Sequence, residues 1–195
     1  MKTKWIEKEF LYDGSQLRPL FSYMKYGLLG DSMISWIGPC EVLSEHMVDG
    51  EDKRQKASIR SDKMLHFLVE KFNSHILAAV SLQRLLVQMA KEQLEHLSGK
   101  NLRREGDDLY WEKGKLSISI ASQGVTSSMI HFALNVTNQG TPVVTASLED
   151  LNVDPCSFAK DLMTSFQKEI ESIEQATQKV FTLPLTIENT VEKEL

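Results

Sequence analysis

Residues 106–121 read GDDLYWEKGKLSISIA. Asp107 and Asp108 end a polar run and open a short apolar piece, 108–112. Lys113-Gly114 then turns the chain, and Lys115 leads into 115–121, where apolar and small polar residues alternate strictly. Alternation at a period of two marks a half-buried strand. Two such pieces joined through so short a turn predict a hairpin. A third strand is predicted at 128–136, where Ile130, Phe132, Leu134 and Val136 take one face and Met129, His131, Ala133 and Asn135 the other.

The pattern changes on both sides of this meander. Downstream, Phe158, Leu162, Phe166, Ile170 and Ile173 recur at helical spacing, with Asp154 as the cap and Pro155 at the first position. Upstream, a broad apolar stripe from Ile76 to Leu97 predicts a long helix, capped by Ser74 and stopped by Gly99. MLHFLVEKF (64–72) reads as a strand, and DSMISWIG (31–38) as another that stops at Gly38-Pro39. KWIEKEFLY (4–12) reads as a strand running into a turn at Asp13-Gly14, and the Pro19 segment after it stays ambiguous. Residues 44–63 are polar and dense in charge, which predicts a long loop of the kind that serves as a lid. Strands, a helix, more strands and a helix predict an α+β fold: a mostly antiparallel sheet flanked by helices. One domain is expected over 1–181, with 182–195 a loosely held tail.

The composition narrows the classes of function. The chain has 195 residues, 42% hydrophobic and 25% charged, with a net charge of -5. A negative balance argues against nucleic acid and anionic membranes, both of which require a positive field. Cys40 and Cys156 stand apart and form no CxxC, which fits a reduced, cytoplasmic protein. MKTKWIEKEF carries charges where a secretion signal needs an apolar core. The five histidines show no HxH or HExxH spacing, so no metal site is expected, and there is no P-loop or GxGxxG.

Alternation also proposes a cleft. Lys115, Ser117, Ser119 and Ala121 share one face, with Leu116, Ile118 and Ile120 on the other. Pairing with the third strand would gather Ser117, Ser119, His131 and Asn135 on one surface, with Lys115 at its rim. Small side chains leave room and polar ones supply hydrogen bonds, as a binding floor requires. The same pattern also suits a sheet face that is merely solvated, and the hairpin charges suit an ordinary surface. Asp31 and Ser32, after Gly30, suit either a place over the cleft or a simple chain reversal.

GDDLYWEKGKLSISIA resembles the central motif of biotin-protein ligases and lipoate ligases, and IHFALNV is similar to the strand that follows it there. GDSMISWIGPCEV, MLHFLVEKF, QRLLV and RREGDDLYW resemble a small domain-of-unknown-function family, number three-six-six, over nearly the whole chain. The resemblance implies a fold of the biotin synthetase and class II aminoacyl-tRNA synthetase group. It implies that Lys115 contacts an acid's carboxylate and the α-phosphate of ATP or an acyl-adenylate, and that Asp108 holds substrate or the turn. The ligases carry Gly three residues after their lysine, where this chain has Ile118. Their adenylate loop is rich in glycine, whereas DGEDKRQKASIR (49–60) holds one Gly, with Arg54, Lys56 and Arg60 as candidate phosphate contacts. Two readings follow. One is a ligase- or acyltransferase-like enzyme binding a small carboxylic acid, with ATP or an acyl-adenylate as the implied nucleotide. The other is a non-catalytic binding or assembly protein that keeps the fold. Both leave the oligomeric state open.

Overall fold

The computed structural model describes residues 1–57 and 59–180. The predicted tail, 182–195, lies outside the described residues. Strands β1 (Lys2–Ile6), β2 (Ser32–Val42), β3 (Ile59–Phe72), β7 (Ser117–Gln123) and β8 (Ser127–Asn135) build one sheet in the order β1-β2-β3-β8-β7. Only the β1–β2 pair is parallel. Strands β4 (Arg103–Glu105), β5 (Asp108–Trp111) and β6 (Gly114–Lys115) form a small antiparallel sheet beside it. Helices α1 (Phe21–Tyr26), α2 (Gly50–Gln55), α3 (Ile76–Ser98) and α4 (Pro155–Thr177) complete the chain. The α+β architecture, the antiparallel sheet and both long helices agree with the sequence reading.

Both faces of the main sheet are covered. On one face Met33, Phe67 and Phe132 pack under α3 and α4, against Leu86 and Phe158. On the other, Ile34, Trp36, Met64 and Ala133 pack under the segment that carries Tyr12, Leu17 and Phe21. Two buried faces explain the unbroken burial of β8, in which every residue is buried. Asp154 caps α4 by accepting from the Ser157 amide at 2.7 Å, with Pro155 in the first turn. For α3 the cap is His75, not Ser74: the imidazole accepts from the Ala78 amide at 3.4 Å. Gly99 ends that helix in the left-handed region, at φ +67°.

Four local expectations are corrected. The first strand spans Lys2–Ile6, and the chain returns to the sheet at Tyr12 as a single bridge to Cys40. β2 does not stop at Gly38-Pro39. A register shift between Gly38 and Cys40 absorbs the proline, which has no amide to give to the ladder, and the strand runs on to Val42. The Phe10 carbonyl lies against Gly38, where a Cβ would stand 2.0 Å from its oxygen. Residues 44–63 are not one loop: they hold α2, capped by Asp49, and the first residues of β3. The predicted hairpin is split. β5 turns into β6 through Glu112, at φ +52°, but Leu116 ends that pairing and β7 joins the main sheet.

Candidate functional site

A cavity of about 500 Å³ opens on the sheet face away from α3 and α4. Its floor includes Tyr12, Met64, Ile118, Ile120 and His131. The first residues of α2 and the 141–145 segment contribute walls. Strand register explains this floor and corrects the predicted one. Ile118 pairs with Ala133 and Ile120 with His131, so both isoleucines share the face of His131. Ser117 and Ser119 pair with Leu134 and Phe132 and turn toward the helices. A slip of one residue exchanges the faces of a strand, and here it inverts the expected polar floor into a largely apolar and aromatic one. The serine hydroxyls work inward. Ser119 Oγ accepts from Gln83 Nε2 at 2.7 Å, and Ser117 Oγ accepts from the Leu109 amide at 2.8 Å. Both residues still contribute to the cavity wall at the sheet edge.

Lys115 stands at the polar end. Its amide donates to the Val144 carbonyl at 3.1 Å, and its own carbonyl accepts from the Ala146 amide at 3.1 Å and from Asn135 Nδ2 at 3.0 Å. That clamp fixes the main chain and leaves the ammonium 2.8 Å from Asp108 Oδ2. Burial raises the Asp108 carboxyl above its ordinary range, and Asp107 adds to the rise while the bond from Lys115 opposes it. Asp52 of α2 is also raised, by burial and then by Asp49, with Lys115 pulling the other way. Among the described residues the wall holds five carboxylates, Asp49, Glu51, Asp52, Asp107 and Asp108, against the two cations Arg60 and Lys115.

The remaining predicted residues separate. Asn135 lies in the wall but spends its amide on the carbonyls of Lys115 and Ala146. Arg60 lies in the wall, exposed, 3.8 Å from Asp62. Arg54 is exposed on α2 and outside the wall. Asp31 is elsewhere: it accepts from the Phe72 amide at 2.7 Å and meets Lys71 Nζ at 2.7 Å, holding the opposite end of β2 and β3. Glu70 also stands away from the cavity wall. Buried, it accepts from the Leu20 amide at 2.8 Å and the Ser127 hydroxyl at 2.6 Å.

Tyr12 and His66 are the residues that sequence reasoning missed. His66 Nδ1 lies 3.1 Å from His131 Nε2, and His66 Nε2 lies 3.1 Å from the Gly38 carbonyl. The Tyr12 ring stacks on His131 with centroids 3.6 Å apart and planes 8° apart. Burial pushes His66 down to about 4, and His131 is lowered well below its ordinary value by burial and by His66. Both rings are therefore neutral near pH 7. MLHFLVEKF reads only as a strand, and it is the β3–β8 register that brings His66 to His131. No group of three or more His, Cys, Asp or Glu among the described residues is arranged to hold a metal ion.

A sheet of this order, with two long helices on one face and a cavity on the other, is the fold of the biotin and lipoate ligases. Biotin protein ligase of Aquifex aeolicus, solved with biotin and ATP, superposes with a TM-score of 0.59 at 10% identity, over 89% of this chain and 72% of that one. Protein Ta0514 of T. acidophilum, solved with lipoic acid bound, gives 0.59 at 15% identity, over 88% of this chain and 87% of that one. The chain belongs to the domain-of-unknown-function family DUF366, whose model matches residues 1–181. A protein of unknown function from Pyrococcus horikoshi superposes with a TM-score of 0.88 at 38% identity, over 93% of this chain and all of that one. The uncharacterised protein MJ0805 of Methanocaldococcus jannaschii is 37% identical over 192 residues, 95% of this chain and 86% of that one. No helix among the described residues is long and apolar enough to cross a membrane.

Proposed function

We propose that the protein binds a small carboxylic acid in this cavity, its carboxylate on Lys115 and its body over Ile118, Ile120 and Met64, without nucleotide chemistry. The observation that carries the reading is the clamped Lys115 at the polar end of an otherwise largely apolar floor. Asp108 makes room for one anion. Burial already holds its carboxyl above the ordinary range, so its hold on the ammonium is the one an incoming carboxylate can replace. A polyphosphate brings several negative charges at once. Five wall carboxylates oppose it, and the first amides of α2, at Glu51 and Asp52, already donate to Asp49 rather than offering a nest to offset them.

The second reading is a ligase-like enzyme in which the bound acid attacks the α-phosphate of ATP. It draws on Arg60, a second cation in the wall with Lys115, whose guanidinium is only loosely paired. Thermal shift and calorimetry with butanoate, hexanoate and octanoate, each with and without ATP or AMP, separate the two. A ligand at 100 times its Kd stabilises by about 2.7 kcal/mol. Acid binding that strengthens as pH falls toward the raised range of the Asp108 carboxyl is expected when the acid takes its place on Lys115, by at most about tenfold per unit for one coupled proton. Stabilisation by either nucleotide, or acid-dependent pyrophosphate release from ATP, overturns the non-catalytic reading. No stabilisation by any acid overturns acid binding itself.

A further inference from the structure

The chain of hydrogen bonds through the buried histidines has a defined direction. A carbonyl oxygen only accepts, so His66 Nε2, 3.1 Å from the Gly38 oxygen, carries the proton. A neutral His66 then has a bare lone pair on Nδ1, and the atom facing it at 3.1 Å, His131 Nε2, must donate. A neutral His131 in turn has a bare lone pair on Nδ1. No hydrogen bond among the described residues reaches that atom. His131 is 2% exposed, lines the cavity floor, and is held flat under Tyr12, so the ring has no freedom to turn toward another partner.

We infer that His131 Nδ1 is a recognition point for an uncharged hydrogen-bond donor, so that the ligand carries an N–H or O–H group at this position rather than a purely aliphatic body. The atom is not among the fully enclosed polar atoms left without a partner, so a ligand donor in the cavity can reach it and meet its lone pair where little water competes. The neighbouring floor is apolar: Ile120 is the cross-strand partner of His131, and Ile118 that of Ala133. An aliphatic body would fill the volume and leave the lone pair unmet; a cyclic or linear amide of the same size would fill it and meet the lone pair. A neutral donor fits better than a cationic one, because burial and His66 both hold this ring uncharged. The inference rests on the proposed function for the cavity alone and is independent of the contact with Lys115.

Two small probes of one shape make the test. 2-Pyrrolidone and cyclopentanone differ at one ring position, an N–H in place of a CH₂, and neither bears a carboxylate. Full-length protein labelled with ¹⁵N-histidine is observed by long-range ¹⁵N–¹H correlation. In the free protein His66 and His131 are both expected to be protonated on Nε2 alone. Titration with 2-pyrrolidone is expected to move His131 Nδ1 saturably toward lower ¹⁵N shift, and to bind at least tenfold more tightly than cyclopentanone. Tenfold corresponds to 1.4 kcal/mol. Equal response to both probes, no response to either, or a free protein protonated at His131 Nδ1 overturns the inference. Because neither probe engages Lys115, these outcomes leave the acid-binding experiment to stand or fall by itself.

Discussion

Acidification from pH 7 to pH 5 should remove stability through the buried histidines. An unfolded histidine takes up its proton near pH 6.5, whereas burial holds His66 neutral down to about 4. Its contribution is therefore complete above pH 6.5 and is lost as pH falls toward 4. Integrating the difference in bound protons gives a loss of about 2 kcal/mol at pH 5 and about 3 kcal/mol at pH 4 from His66 alone. His131 is lowered too and adds in the same direction. The carboxylates held below their ordinary range, Asp13, Glu95 and Asp150, begin to lose their contribution only at lower pH. Asp52 and Asp108 are raised, so they gain on acidification and can only make the slope shallower. Urea unfolding followed by circular dichroism at pH 7, 6 and 5, at constant ionic strength, reads the loss directly. His66→Gln, neutral throughout, should remove about 2 kcal/mol of the pH 7-to-5 difference. A free energy unchanged between pH 7 and pH 5, with an unchanged m-value, would refute the reasoning.

Three substitutions test other parts of the structure. Glu70→Ala leaves the Leu20 amide and the Ser127 hydroxyl without their buried acceptor, and should lower unfolding free energy by about 3 kcal/mol in urea titrations. Gly114→Ala places a Cβ 2.6 Å from the Ala146 nitrogen and 2.7 Å from the Thr145 oxygen, against backbone that cannot yield. It should cost about 2 kcal/mol by thermal denaturation and weaken acid binding by displacing Lys115. Lys115→Ala removes a half-exposed ion pair, so unfolding free energy should change by less than about 1 kcal/mol, while hexanoate affinity measured by calorimetry falls at least tenfold.

The long elements were legible because their signals are redundant. α4 shows a cap, an N-terminal proline and five apolar positions in phase, and any two of these would have located it. β8 was legible in both faces, since Ile130, Phe132 and Leu134 could only be core. β7 was misassigned because its two faces differ less than they appear to: a sheet buried on both sides asks for apolar residues on each. Isoleucines therefore did not identify the helix-covered side. Gln83 of α3 supplies the polar partner that lets Ser119 face that side, and no local pattern within 115–121 announces it. β2 outran its predicted end because a register shift accommodated Pro39, an event decided by β3 rather than by the residues of β2. Lys115 was picked out by its place at the start of a strand and Asp108 by the resemblance to the ligases' motif, and both line the cavity. The His66–His131 contact was not picked out, since it joins positions 65 residues apart that meet only after β3 and β8 have paired.

The position of α4 constrains the order in which this molecule can be made. Phe158 and Phe166 close the face formed by Met33, Phe67 and Phe132, and the first residues, Met1 and Trp5, pack against the same cluster. The Met1 amino group also lies 3.8 Å from Glu171. Every strand precedes α4 in the chain, so once β8 has left the ribosome the sheet can form while one of its faces still lacks half its cover. Vectorial synthesis cannot complete this layer from the front, so final consolidation must follow emergence of α4. Until then the nascent sheet offers an apolar plate to chaperones, and shortening the chain within α4 would leave that plate open.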